Sequence, residues 1–214
     1  MKDPASPIYG CDAFWNTFWN LNQLWLLATP DIMNKWVESL LEYYRVGGWL
    51  PNGPPGVEYC DIMGAQHEIP LMVSAYQKGI RNYDVDKAYE AVKKTLTTQG
   101  TALSSGGIVG NRHLDVYLKY GFVPYGEKSH HNVFGTTYEG PTSNTLEYAF
   151  DDWNAAQFAK ALGYEEDYDY FTRRAYNYKN VFDSETKYVR PKYSDGTWMP
   201  DFEPINKDEH STSW

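Results

Sequence analysis

The sequence has few basic residues, few cysteines and no long apolar run, and each shortage excludes a class of protein. Its 19 Lys and Arg face 28 Asp and Glu, a formal net charge of −9. Because no basic cluster occurs, we do not expect a nucleic-acid partner. The two cysteines, Cys11 and Cys60, have neither metal-ligand spacing nor the number that a disulfide framework needs. No stretch approaches the roughly 18 consecutive apolar residues of a membrane span, and the first ten residues lack a signal peptide's apolar core.

Aromatic residues are plentiful instead, with 8 Trp, 19 Tyr and 9 Phe among 214 residues. Aromatic rings stack on the C–H faces of sugars, but they also pack between helices, so composition alone does not separate these uses. The hydrophobic content of 42% is enough for a sizeable core. We therefore expect one folded domain or part of one.

Helical periodicity dominates the chain, and helix start and stop signals bound the apolar stripes. The clearest helix follows a Thr29 cap and a Pro30 at its first position, and its stripe ends before Gly47. Two further stripes predict a helix that ends at Gly79 and one that begins near Asp84, and two later helices are predicted over about 144–162 and 165–178. The stripe residues are Met33, Trp36, Val37, Leu40, Leu41 and Tyr44, then Ile69, Met72, Val73 and Tyr76, then Ala88, Val92 and Leu96.

Long loops rich in Gly, Pro, Asn and aromatics separate the helices, at about 47–64, 99–110, 121–142 and 183–210. Loops of this length in a compact domain are usually functional. A turn at 194–196 predicts a small β-hairpin inserted near the end of the chain. The predicted fold is all-α, with antiparallel helical hairpins that form part of an (α/α)6 toroid. No internal repeat supports the alternative of a helical solenoid.

The segment 143–153, SNTLEYAFDDW, has the most chemical content because it places three carboxylates within six residues. Glu147 and Asp151 are four residues apart and share a helix face. If both are desolvated, each disfavours ionisation of the other, which keeps a carboxylic acid protonated near neutral pH. Two structural alternatives stay open. Asn144 and Glu147 also fit a capping box, and the two aspartates also suit solvated or loop-bonded positions.

The string TLEYAFDDW, with AAQFAKALG after it, resembles the signature of glycoside hydrolase family 92 α-mannosidases. Further matches are Gly48-Trp49-Leu50-Pro51, Ile62-Met63-Gly64 with the AYQKGI helix, and Tyr117 with Tyr120-Gly121-Phe122-Val123-Pro124. Near the start, FWNTF resembles the family's WDTF element. Together these motifs extend through nearly the whole chain.

The resemblance implies roles for several residues. Glu147 takes the place of the general acid, and Trp15 and Asn16 take the places of residues that contact the sugar. Asn16 departs from the family's usual Asp, so it brings an amide instead of a charge and puts the hydroxyl preference in doubt. Gly64 falls on the same sugar-binding wall. His67 is a further candidate for a sugar contact, because the family often has a His nearby. The alternative is that His67 is a structural histidine, either hydrogen-bonded in the interior or capping a helix.

The last residues resemble the family's HEGNxWQ element, whose His-Glu pair contacts the next mannose. Here Glu209 and His210 occur in swapped or shifted order, so we infer no α-1,2 specificity. The resemblance also implies Ca²⁺, although no calcium motif is present to identify its ligands. His130 and His131 lack a third metal ligand at suitable spacing and are interpreted as loop residues.

The implied function is that of a calcium-dependent, inverting exo-α-mannosidase acting on mannose-containing glycans and exported from the cell. Residues 1–214 would be a partial catalytic domain, without the family's N-terminal β-sandwich and its C-terminal barrel helices. No GNDD-like segment for the base occurs, so the chain alone is expected to be inactive. The alternatives are a non-catalytic sugar-binding helical domain and an α/α-toroid glycosidase of another specificity.

Overall fold

The computed structural model describes residues 7–11, 14–54, 59, 64–103, 107–126 and 140–204, and these ranges are mainly helical. The predicted helical fold class is confirmed. The helices of the described ranges are α1 (Leu21–Ala28), α2 (Pro30–Gly47), α3 (Glu68–Gln77), α4 (Val85–Thr97), α5 (Leu114–Tyr120), α6 (Pro141–Leu162) and α7 (Glu165–Ala175). A 3-10 turn, Tyr176–Val181, follows α7. The strands are β1 (Thr101–Leu103), β2 (Gly107–Val109), β3 (Phe182–Asp183) and β4 (Tyr188–Val189).

Helix α2 begins at Pro30, as predicted, and buries most of its predicted apolar stripe against the core. Thr29 does not cap it, because its hydroxyl donates to the carbonyl of Trp25 in the preceding helix. The helix ends one residue later than predicted, where Gly48 takes a left-handed conformation with φ of 78°. A glycine suits this position because it has no Cβ to oppose positive φ.

The predicted start of α4 is confirmed, since the carboxylate of Asp84 accepts a hydrogen bond from the backbone N–H of Lys87 at 2.9 Å. Helix α3 ends at Gln77, close to the predicted stop at Gly79. Both helices pack on α6 and α2. This arrangement gives the loop before α3, which contains His67, a fixed place beside α6.

Helix α6 begins at Pro141 and therefore three residues earlier than predicted. Gly140 turns the chain with φ of 63°, and the fixed φ of Pro141 suits the first position of a helix. Asn144 consequently lies inside the helix, and the capping box with Glu147 is wrong. The predicted end is confirmed at Gly163, which has φ of 80°.

Short antiparallel pairings accompany the helices in the described ranges. Strands β1 and β2 pair antiparallel in a region that the sequence predicts as loop. Their three-residue strands are too short for alternation to show in a Gly- and Ser-rich stretch. The predicted hairpin near the end is confirmed, because Lys192 pairs with Trp198 around the turn at 194–196. It follows the β3–β4 pair, and Tyr125 N donates to the Lys192 carbonyl at 2.8 Å.

Helix α6 is the centre of the described structure and packs against α7, α3 and α4. Its buried residues lie on more than one side, which explains why its sequence shows no single apolar stripe. The main core surrounds Phe158 and Phe171, and a smaller cluster joins Tyr117 of α5 to Tyr148 of α6. The acidic residues of α6 are thus held in the middle of the fold.

Candidate active site

The three carboxylates of α6 point in two directions. Glu147 and Asp151 are one helical turn apart on one face, whereas Asp152 lies about 100° further round the helix. Asp151 and Asp152 are fully buried, and the side chain of Glu147 keeps 22% of its surface exposed. Neither aspartate is solvated. Only Glu147 of the three reaches solvent.

The imidazole of His67 lies between the two carboxylates of the first face. Its Nε2 is 2.8 Å from Oε2 of Glu147, and its Nδ1 is 3.2 Å from Oδ1 of Asp151. We call Glu147, His67 and Asp151 the open network, because it is buried at Asp151 and exposed at Glu147. The condition that both carboxylates are desolvated is met at Asp151 only, and a basic side chain lies between the two.

The loop before α3 holds His67 in this place through its backbone. The N–H of Gln66 donates to Oδ2 of Asp151 at 2.7 Å, so Asp151 binds two consecutive residues. Ala65 turns the chain with φ of 65°, a left-handed conformation that is costly for a residue with a Cβ. The side-chain amides of Asn52 and Gln66 both donate to its carbonyl and stabilise the turn.

Aromatic rings cover the imidazole on the remaining sides. The ring of Phe18 lies 4.7 Å from the imidazole and 5.0 Å from Phe150 of α6, and Phe150 is 6.0 Å from the imidazole. His67 is only 1% exposed as a result. Its observed partners are the two carboxylates and these rings, and a direct sugar contact stays a prediction.

The contact of Phe18 also brings the segment 14–20 to the open network. This segment consists of turns, and the ring centroids of Trp15 and Trp19 lie 5.8 Å apart. Trp15 is half-buried and Asn16 is exposed. Both predicted sugar contacts are thus within three residues of a ring that packs on His67.

Gly64 lies beside the first turns of α6 and is exposed. A Cβ at this position would approach Oδ1 of Asn144 to 2.7 Å, so any side chain would have to displace that amide. Gly64 therefore permits a close approach between the His67 loop and α6. Its predicted contribution to the sugar-binding wall stays a prediction.

Electrostatic effects in the open network favour a charged imidazole. Burial opposes the charge of His67, but Asp151 and Glu147 outweigh it and raise the pKa of His67 to about 10. Burial raises the pKa of Asp151, and the neighbouring His67 partly offsets the rise. Because both nitrogens of an imidazolium are donors, the charged form suits two flanking carboxylates.

Asp152 belongs to a second set of charges on the other side of α6. Arg174 places Nη2 at 2.7 Å from its Oδ1 and Nε at 3.0 Å from its Oδ2, and the Tyr117 hydroxyl lies 2.9 Å from Oδ2. We call Asp152, Arg174 and Tyr117 the closed network, since all three are buried. Burial raises the pKa of Asp152 to about 7, against the effect of Arg174.

Sequence reasoning missed Phe18 and Gln66 as supports of the site, and Arg174 and Tyr117 as partners of Asp152. Phe18 is part of the FWNTF motif, and Gln66 immediately precedes His67, so both lie next to residues that the sequence singles out. The sequence does not show which contacts they make. Arg174 is a basic residue in the last turn of a helix, where it is ordinarily explained by the helix dipole. Contacts between residues far apart in sequence carry no such local signal.

The described carboxylates of the site do not fit a calcium ion, because Glu147, Asp151 and Asp152 each pair with a basic side chain and do not converge on one point. Within the described ranges no group of three or more His, Cys, Asp or Glu is arranged to hold a metal. Calcium stays a prediction. Glu209, His210, His130 and His131 lie outside the described residues. No described helix is long and apolar enough to cross a membrane.

Comparison with known proteins connects this geometry to a family. A family GH92 inverting mannosidase from Bacteroides thetaiotaomicron has a similar structure, with a TM-score of 0.79 and 28% identity over 92% of this chain and 25% of its own. A family GH92 α-mannosidase from the same organism, in complex with mannoimidazole, has a TM-score of 0.75 and 30% identity over 90% of this chain and 23% of its own.

A relative found by sequence similarity is also described as a glycosidase. It is an uncharacterised secreted glycosidase of Arthroderma benhamiae, 27% identical over 87% of this chain and 27% of its own length. The chain thus spans about a quarter of the length of each of these relatives. The model of the glycosyl hydrolase family 92 catalytic domain matches residues 1–214. The chain therefore belongs to glycosyl hydrolase family 92.

Proposed function

We propose that this chain supplies the proton-donor side of an exo-α-mannosidase site, with Glu147 as the general acid. The observation that carries the proposal is the asymmetry of the open network. Oε2 of Glu147 is held from inside by His67, and part of the side chain faces solvent, where a glycosidic oxygen could approach. The similarity to solved family GH92 mannosidases supports α-mannosides as the substrate class.

In the proposed reaction, the O–H bond of Glu147 breaks as its proton passes to the glycosidic oxygen, and the bond from that oxygen to the sugar's anomeric carbon breaks. A water molecule attacks the anomeric carbon from the opposite face and loses its proton to a carboxylate base. Asp151 and Asp152 do not suit that role, because both are fully buried and paired. The base is therefore proposed to come from residues outside the two networks.

The proposal includes inversion at the anomeric carbon, and inversion sets the distance between the acid and the base. An inverting site needs its two carboxyl groups about 6.5–9.5 Å apart so that water fits between sugar and base. A base at this distance would face the exposed side of Glu147 across the sugar. Trp15, Asn16 and Gly64 are proposed to line the sugar-binding wall beside it.

The extent of the relatives leads to a proposal about domain organisation. Because the chain spans about a quarter of their length, we propose that residues 1–214 are part of an (α/α)6 catalytic domain. The chain alone is then expected to release no mannose from an α-mannoside. We further propose that Glu209 and His210 contact the next sugar, that the protein binds a calcium ion and that it is exported. The relative named as secreted supports export.

The test is the stereochemistry of the product. The full-length protein that contains this chain is incubated with α-linked mannobioses, and the first mannose released is followed by proton NMR before it mutarotates. Early β-mannose supports an inverting α-mannosidase. Early α-mannose contradicts inversion, and no release from any linkage contradicts the proposed activity and favours a sugar-binding domain.

A further inference from the structure

The contacts of Glu147 extend beyond the proton donor itself, and what they imply rests on the proposed function of Glu147. We infer that His67 and Asp151 are positioning residues that orient the Glu147 carboxyl group and stabilise the carboxylate formed when Glu147 gives up its proton. The juxtaposition that carries the inference is an imidazole with one carboxylate at each nitrogen, of which only one reaches solvent.

The geometry leaves His67 little freedom. Asp151 contacts its Nδ1 and also accepts from the N–H of Gln66, so the ring and its backbone are anchored to the same carboxylate. Phe18 and Phe150 restrict rotation of the ring. A long side chain such as Glu loses conformational entropy when it is fixed, and His67 fixes it by contacting Oε2.

The charges of the open network suit the state after proton transfer better than the state before it. When Glu147 is protonated, the charges of the His67 imidazolium and the Asp151 carboxylate cancel. When Glu147 has donated its proton, its new negative charge lies 2.8 Å from the imidazolium. Interactions that strengthen as charge develops are those that accelerate a reaction. The proton lost to the glycosidic oxygen is replaced from solvent after the products leave.

Asp151 keeps the imidazole charged inside the protein. Burial alone would remove the charge, and the Asp151 carboxylate at Nδ1 opposes this, which is one cause of the raised pKa of His67. Glu68 is the charged residue next to His67 in the sequence, and it is also buried. The segment 14–20 that covers the ring contains no charged residue. The charge state of His67 therefore depends mainly on Asp151 and Glu147.

The experiment compares His67→Gln and Asp151→Asn with the unmodified full-length protein. Its substrates are a mannobiose and an aryl α-mannoside whose leaving group departs without protonation. Misplacement of a reacting group by about 1 Å can cost about 100-fold in rate. We expect kcat for the mannobiose to fall by that factor with KM nearly unchanged, and kcat for the aryl mannoside to change little.

Tyr117→Phe is the matched control, because Tyr117 is a buried partner of Asp152 on the other face of α6. It should show no dependence on the leaving group. In a double-mutant cycle, adding His67→Gln to Glu147→Gln should cause no further loss, because the group that His67 orients no longer donates a proton.

Equal losses on both substrates in His67→Gln and Asp151→Asn would overturn the inference and leave His67 as a structural residue. If His67→Gln does not fold, the kcat values of Asp151→Asn for the same two substrates test the inference. Failure of the proposed function is distinct: Glu147→Gln would then show equal losses on both substrates, or the unmodified protein would release no mannose.

Discussion

The two faces of helix α6 use similar groups for different purposes. In the open network, Asp151 and Glu147 flank His67, and in the closed network, the adjacent Asp152 pairs with Arg174 and Tyr117. Each network combines a fully buried carboxylate with a cation. They differ at one end, because the open network leads through Glu147 to solvent and the closed network does not.

This difference shows what separates a candidate catalytic carboxylate from a structural one. Burial and a perturbed pKa occur in both networks, so neither property identifies the site. A proton donor must also reach its substrate, and only Glu147 among the α6 carboxylates is exposed. The closed network instead joins α6 to α5 and α7. We expect substitutions in the first network to change turnover, and substitutions in the second to change stability without changing turnover.

The largest effect is expected at Glu147. Glu147→Gln keeps the size and the hydrogen-bonding capacity of the side chain but cannot protonate a leaving oxygen, so kcat for a mannobiose should fall by about 10²–10⁴-fold. Steady-state kinetics and a melting curve of the full-length protein measure both properties. A kcat for the mannobiose within about tenfold of the unmodified value would contradict the assignment of Glu147 as the proton donor.

Next in size is the effect of opening the closed network. Arg174→Met leaves the carboxylate of Asp152 buried without its cation, which typically costs about 3–5 kcal/mol of unfolding free energy. Denaturant unfolding measures the loss, and the specific activity of the folded fraction should not change.

The matched control for this variant is Lys93→Met, which breaks a pair with Asp167 on the protein surface. Exposed pairs contribute about 0–1 kcal/mol. If Arg174→Met is as mild as Lys93→Met, the closed network does not stabilise the fold in the way proposed.

A third prediction concerns pH. The pKa of His67 is raised from 6.5 to about 10, so the folded protein holds this proton more tightly than the unfolded chain. The resulting stability is fully present below about pH 6.5 and is lost as the pH rises through about 10. The difference in melting temperature between the unmodified protein and His67→Gln should therefore shrink between pH 7 and 10. A constant difference over that range would indicate a neutral His67.

The smallest effect is expected from a helix cap outside both networks. Asp84→Ala removes the acceptor for the N–H of Lys87 and should cost about 0.5–2 kcal/mol of stability. Turnover should be unchanged, which makes this variant the reference for a loss of stability alone. A fall in kcat with Asp84→Ala would mean that stability and turnover are coupled, and the contrast between the networks would lose its meaning.

Local patterns predicted most of the helices, because a buried stripe and a stop residue are both encoded within a few residues. The stripe of α2 and the cap of α4 at Asp84 are examples. The start of α6 was missed because Asn144 and Glu147 imitate a capping box, although Gly140 and Pro141 form the actual start. The Gly- and Ser-rich hairpin of β1 and β2 gave no alternating pattern.

The candidate site was predicted less completely than the helices. The three carboxylates of one helix drew attention to Glu147, and the family resemblance gave Glu147 and His67 their expected roles. Nothing in the sequence shows that Asp151 and Glu147 contact the two nitrogens of that His, since these contacts join residues about 80 positions apart. The same holds for Asp152 and Arg174. Long-range pairing is decided by how helices pack, which a single sequence does not display.

The most direct test of the account is the leaving-group dependence of Glu147→Gln. The ratio of kcat between unmodified protein and variant is measured for a mannobiose and for an aryl α-mannoside with an activated leaving group. If Glu147 is the general acid, the ratio is about 10²–10⁴ for the mannobiose and much smaller for the aryl mannoside, which departs without a proton. Equal ratios for both substrates, together with a lowered melting temperature, would show that Glu147 is structural and contradict the account.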